Sequence, residues 1–264
     1  MKIFLTGASS GIGRATAELL CARGHEVWGT SRDLRRLPSM PHFHPLTLDL
    51  ADLASIPQIF REAADAAGSF DVVINNAGSG HFGPGVQLSH EELTAQFQLL
   101  VVAQIQILQN AFALMQPRRE GLIVNVTSLA ARLPVPYMAA YNAAKAAMAS
   151  FTMTLQLELA ETKIRLVDLQ PADIHTNFNN VLPRTGPEAA DSRVTKTWQI
   201  VEKNMQGAPQ PELVARRILK LLGERNPSPR LTVGSFFQAR IAPAIDALLP
   251  QRIRLWGLRN YYGI

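Results

Sequence analysis

Short apolar segments alternate with stretches of helical periodicity from the first residues onward. KIFLT (2–6), EVWGT (26–30), HPLTL (44–48), DVVIN (71–75), LIVNV (122–126), IRLVDLQ (164–170) and RLTVG (230–234) each have strand length and β-branched or bulky apolar content. Runs this uniformly apolar belong to strands covered on both faces, as in parallel sheets whose crossover helices lie above and below. The pattern predicts an α/β fold: one doubly wound parallel sheet of about seven strands, with helices on both faces. The punctuation agrees, since RATAELLCARG closes on Gly24 and SIPQIFREAADAAG on Gly68, each placed to stop a helix. No internal repeat or low-complexity linker interrupts the alternation, so residues 1–264 read as a single domain.

Composition removes several function classes. With 264 residues the chain can bury a large core without disulfides or metals. Its 47% hydrophobic and 18% charged content is not a membrane composition. The most apolar stretch, LLVVAQIQILQNAFALM (99–115), carries three glutamines and an asparagine and reads as a buried or interface helix, part of a long helix over 92–116. A lone cysteine, Cys21, excludes an intramolecular disulfide and fits a reducing compartment. MKIFLTG already reads as a strand, so a cytoplasmic location is expected. The net charge of +5 is spread along the chain, with clusters only at RDLRR (32–36) and QRIRLWGLRNYY (251–262). That is no nucleic-acid footprint, and it suits the phosphates of a small ligand better.

Two regions break the alternation. Residues 177–209 form a long insertion of the kind that supplies binding loops and lids, and 236–264 form a C-terminal extension carrying Phe236, Phe237, Trp256, Tyr261 and Tyr262. The extension reads as a helical cap packed on the domain or on a second subunit; docking on a membrane through its basic and aromatic residues is the minor alternative.

The first strand leads into TGASSGIGRA, which places Gly7, Gly11 and Gly13 between a strand and a helix. Glycines there permit a tight turn and close backbone approach to a pyrophosphate, which the helix N-terminus meets with oriented N–H groups and a positive dipole. The TGxxxGxG spacing, with Asp49, Asn75-Asn76-Ala77-Gly78, Ser128, Tyr141-x-x-x-Lys145 and PADIHT (171–176) following in order, resembles the compact single-domain branch of the short-chain dehydrogenase/reductase family. The likeness covers residues 2–176 motif by motif. It implies a Rossmann-type fold, an alcohol or carbonyl substrate, a nicotinamide dinucleotide cofactor and a homodimer or homotetramer. It also implies cofactor contacts from Gly7, Ser9, Ser10, Gly11, Ile12, Gly13, Asp49, Asn76, Ala77, Gly78, Ile174 and Thr176. Ala172 stands where a glycine is more usual.

The choice between NAD(H) and NADP(H) has a physical handle. An acidic side chain at the end of the second strand would bind a ribose 2′-hydroxyl and repel a 2′-phosphate. Ser31 takes that place here, Arg32 follows it, and Arg14 flanks the glycine loop, so two cations can approach a phosphate. NADP(H) is the expected preference and NAD(H) the alternative, with Asp33 the one nearby carboxylate.

Carbonyl reduction needs a proton donor for the oxygen as hydride reaches carbon, and a free tyrosine, with pKa of about 10, is a poor acid-base group near neutrality. Tyr141 and Lys145 stand at i and i+4 on one helix face, where an ammonium favours phenolate. Ser128, at the carboxyl end of a strand, is placed to hydrogen-bond the substrate oxygen. By the resemblance, Lys145 also holds the nicotinamide ribose. A capping serine and a surface Tyr/Lys pair is the bland reading.

One departure stands out. The family carries an asparagine in the preceding helix that holds a water next to the lysine, whereas the matching place in Phe97-Gln98-Leu99-Leu100-Val101-Val102-Ala103 is Leu100. A relay would then run through Gln98 or Gln104, or turnover would be slower. The six histidines form no metal motif; His42 and His44 lie in a loop, while His81 and His175 either line the cleft or pack. Phe178, Val181, Leu182, Trp198, Met205 and Phe236 are candidate apolar walls, favouring a lipophilic carbonyl compound, steroid-like or otherwise. The competing function is a dinucleotide-binding regulator with weak or lost catalysis.

Overall fold

The computed structural model describes residues 1–185 and 192–264. Seven strands form one sheet: β1 (Lys2–Leu5), β2 (Glu26–Ser31), β3 (Phe43–Thr47), β4 (Val72–Asn75), β5 (Glu120–Val126), β6 (Lys163–Pro171) and β7 (Arg230–Val233). Their spatial order is β3-β2-β1-β4-β5-β6-β7, with every neighbouring pair parallel. Each segment expected as a strand is one. The order reverses between β1 and β4, which opens a crevice at the carboxyl ends of those strands.

Alternation along the strands sorts the core into two layers. Ile3 and Leu5 face one side with α1 (Gly11–Ala22) and α7 (Glu212–Gly223), where Leu20, Val214 and Ile218 close the layer. Phe4, Val73 and Ile123 face the other, against α2 (Ile56–Ala67) and α4 (Ala103–Met115), with Phe60, Phe70, Ile107 and Met115. Gly24 and Gly68 both take positive φ, near +75° and +71°, beyond the ends of α1 and α2.

The long helix is one rod with a defect. α3 (His90–Phe97) begins with a capping box between Ser89 and Glu92, passes through a π turn over Gln98–Val102, and continues as α4. It is long and apolar enough to cross a membrane by length and composition, yet Ala103, Ile107, Ala111 and Met115 are buried in the sheet core. α5 (Ala139–Glu158) carries Tyr141 and Lys145, and the insertion contributes α6 (Arg193–Gln206). The C-terminal extension is helical as expected: a π turn over Phe237–Ile241, α8 (Ala242–Leu248) and α9 (Gln251–Tyr262).

Candidate active site

The glycine loop and the NNAG segment are stitched together at the switch point. Thr6 Oγ1, fully buried, accepts from the Asn76 and Ala77 backbone N–H groups at 3.0 Å each, and Asn76 Nδ2 donates to Thr6 O at 3.0 Å and Gly7 O at 3.2 Å. A Cβ on Gly7 would meet Ala77 Cα at 2.8 Å, and one on Gly13 would lie 2.0 Å from Gly7 O and 2.5 Å from Asn76 Nδ2. Gly7 and Gly11 also hold φ of +71° and +51°. Ser10 precedes α1 in extended geometry without capping it through its side chain, which leaves the first N–H groups of the helix for a ligand. Ser9 and Ile12 flank this turn, half-buried, and Ile12 packs on the core. This cradle fits a dinucleotide pyrophosphate.

The other expected contacts lie in three settings. Thr176 packs on Gly11, 3.2 Å from where a Cβ would stand, and Ile174 is buried in the core. Asp49 caps the turn after β3, accepting from Ala51 N at 3.0 Å, with an exposed carboxylate. The alanine at 172 is accommodated by a glycine opposite: a Cβ on Gly234 would lie 2.6 Å from that of Ala172.

At the end of β2, Ser31 is buried and Arg32 exposed. Asp33 is neutralised: Arg35 donates to it from its backbone N, Nε and Nη2, each at 3.0 Å, which holds the carboxyl below its ordinary range. Arg14 is paired with Glu18 at 2.8 Å, so one of the two expected cations already has an acidic partner.

Ser128, Tyr141 and Lys145 come together at the carboxyl end of β5. Ser128 caps the turn that follows it, its Oγ accepting from Ala130 N at 3.1 Å, and its hydroxyl lies close enough to act on the Tyr141 phenol. Lys145, 6% exposed, donates from Nζ to Val126 O at 2.9 Å and lies 5.8 Å from the Tyr141 ring centroid. Burial pushes Lys145 down to about 8, opposed by the Asp168 carboxylate. Tyr141 is raised by burial, with the Ser128 hydrogen bond acting in the opposite sense.

Leu100 does stand beside Lys145. A Cβ on Gly78 would be 3.2 Å from Leu100 Cδ2 and 3.7 Å from Lys145 Nζ, and Leu100 packs with Asn75, Gln104, Asn125, Thr127 and Lys145 around a gap too small for a water. Gln98 is turned away to Ala51 O, and Gln104 donates to Ala77 O, both at 2.7 Å. Sequence reasoning missed this polar lining. Asn75 donates to Asn125 Oδ1 and Gln104 O, and Asp168 is held by Thr127, by Gln170 and by Arg230 at 2.9 Å. The signal was present: an aspartate within the apolar strand IRLVDLQ needs a buried partner.

Beyond Tyr141 the wall is apolar. Phe82, Met138 and Leu182 form a buried cluster joined by Tyr137, Phe178 and Trp198, with the Phe178 and Tyr141 rings 5.7 Å apart. Phe178, Leu182 and Trp198 therefore belong to the wall, Val181's side chain lies outside the described residues, and two assignments need correction. Phe236 is 75% exposed and Met205 lies outside the cluster. His81 packs, with Nε2 3.0 Å from Thr185 Oγ1, and His175 Nδ1 lies 3.2 Å from Gln206 O. His42 and His44 share the Glu26 carboxylate at 2.6 and 2.7 Å.

The sequence profile described as short chain dehydrogenase matches residues 1–185. The chain belongs to the short-chain dehydrogenase family. It is 30% identical to 3-ketodihydrosphingosine reductase of Bacteroides thetaiotaomicron, over 99% of this chain and 98% of that one. It is 31% identical to the NADPH-dependent 1-acyldihydroxyacetone phosphate reductase of Schizosaccharomyces pombe, over 71% of this chain and 64% of the other. The crystal structure of a short-chain dehydrogenase from Streptomyces avermitilis superposes with a TM-score of 0.80 at 25% identity, covering 98% and 96% of the two chains. This short-chain dehydrogenase is accordingly an NAD(P)-dependent oxidoreductase acting between CH–OH and C=O.

Proposed function

We propose that this protein is an NADP(H)-dependent reductase that interconverts a carbonyl and a hydroxyl on a lipophilic substrate. The observation that carries the reading is the meeting of Ser128, Tyr141 and Lys145 with the apolar wall of Phe82, Met138, Phe178 and Leu182, beside a glycine cradle. The dinucleotide, when bound, supplies or accepts the hydride. Ser128 holds the substrate oxygen, and Tyr141, its phenol raised by burial, gives that oxygen its proton in the reductive direction. Lys145 positions the phenol and carries charge below about pH 8.

Ser31, the exposed Arg32 and the neutralised Asp33 support a 2′-phosphate, as does the NADPH dependence in the name of one relative. A relative named for a 3-keto sphingoid base, alike over nearly the whole chain, supports a long-chain carbonyl substrate. A homo-oligomer in the cytoplasm is the working form.

NADPH oxidation against ketones of increasing chain length, including a long-chain 3-keto base, tests the reading. The rate should rise with chain length and fall about 10²–10⁴-fold in Tyr141→Phe, with dinucleotide binding retained. Binding without any Tyr141-dependent turnover across the panel would instead make the protein a dinucleotide-binding regulator.

A further inference from the structure

The C-terminal extension is anchored at a few points and otherwise bare. Gln238 Nε2 donates to Asp173 Oδ2 at 2.5 Å, Arg132 Nη2 to Pro243 O at 3.1 Å and Asn204 Nδ2 to the Tyr261 hydroxyl at 3.1 Å, while Tyr262 is buried. Asp173 belongs to the loop that carries Thr176, and Arg132 follows Ser128 by four residues, so these bonds hold the extension beside the mouth of the cleft. Away from the anchors, Phe237, Ile241, Ile245 and Leu248 recur at spacings of four, four and three and form one stripe, between 37% and 84% exposed. On α9, Trp256 is 69% exposed and Ile253 and Leu255 about half.

The charges on this surface have one sign. Arg240, Arg252 and Arg259 are exposed, while the single acidic residue of 236–264, Asp246, is 9% exposed and takes Arg254 at 3.5 Å. A second copy meeting this face about a two-fold axis would set arginines against arginines, since an isologous contact pairs a patch with itself. A negatively charged apolar surface is what the patch complements. Helices with exposed Trp, Leu and Ile among arginines lie at the boundary of headgroups and acyl chains.

We infer that the face formed by residues 237–259 docks on an anionic lipid bilayer and brings the mouth of the cleft to the membrane surface. The inference stands apart from the substrate proposed above, because vesicle binding is read without cofactor or turnover.

Flotation of the full chain with vesicles of phosphatidylcholine and phosphatidylglycerol in equal parts, against phosphatidylcholine alone, tests it. The protein should float with the anionic vesicles and be released by salt. Arg252→Gln and Arg259→Gln should each weaken partitioning about fivefold, and Leu248→Gln with Trp256→Gln should abolish it. All of these positions are outside the catalytic machinery, so melting temperature and turnover of a short water-soluble ketone should stay unchanged and report an intact fold. Failure of the wild type to float with anionic vesicles, or equal flotation of the variants, overturns the inference. So does a halving of particle mass in Leu248→Gln/Trp256→Gln, which would make the face a contact between copies.

Discussion

Lys145 is buried with its ammonium on a backbone carbonyl, and desolvation lowers it from the ordinary 10.5 to about 8. A base depressed in the folded state is an unfavourable charge there, so the folded chain binds fewer protons than the unfolded one between those two values. Stability then rises with pH across that window: the penalty is full below about 8 and is relieved toward 10.5. Thermal melting of wild type against Lys145→Met should show it, with the gap shifting in favour of the wild type as pH rises through the window. Catalysis should move the other way, since reduction loses the ammonium above about pH 8. At the cofactor end, Arg32 is the exposed cation, whereas Arg14 is engaged by Glu18. Arg32→Ala should therefore raise KM for NADPH about ten- to a hundredfold and leave that for NADH nearly unchanged, while Arg14→Ala should do less. An equal effect on both cofactors would remove Arg32 from the 2′-phosphate.

The elements differ in how far their sequence reveals them. The central strands were legible because apolar runs buried on both faces have few other readings, the half-exposed edge strands β3 and β7 only by their place in the alternation, and the crevice followed from the strand-to-helix turn at Gly7 to Gly13. Gly13 shows why that motif is strict: a methyl group there would lie 2.0 Å from Gly7 O and 2.5 Å from the amide of Asn76. Gly13→Ala must displace either the loop or the NNAG segment, and should abolish dinucleotide binding, read by fluorescence titration, while the sheet still folds. The π turn over 98–102 was not legible. QLLVV contains no glycine or proline, so the defect comes from tertiary packing that the local sequence does not record. Leu100 lies within it, 1% exposed, packed between Gly78 and Lys145. Leu100→Ala should cost about 2–5 kcal/mol in a chemical denaturation curve, as for other buried leucines. The polar set of Asn75, Gln104, Asn125 and Asp168 was equally hidden, because strand patterning marks such residues as anomalies without saying what they face.

At the scale of the molecule, two apolar surfaces are exposed among the described residues, and they differ in charge and place. One lies on the long helix and α5, where Leu93, Val102, Met153 and Leu157 are between 41% and 76% exposed; the other is the C-terminal face. Sequence named both regions, but helical periodicity alone does not say which side of α8 and α9 is turned outward, since that depends on anchors such as Arg132 to Pro243 and Gln238 to Asp173. The helix surface has no run of arginines like that of the extension, which makes it the better candidate for a contact with a second copy. If the two surfaces take different occupants, they should separate by mutation. Val102→Glu with Leu157→Glu should lower the mass in sedimentation equilibrium to that of one chain and leave vesicle flotation in place, whereas Leu248→Gln with Trp256→Gln should leave the mass unchanged. A loss of assembly in the second pair, with the first pair still assembled, would assign the oligomer contact to the extension and leave the helix surface for another partner.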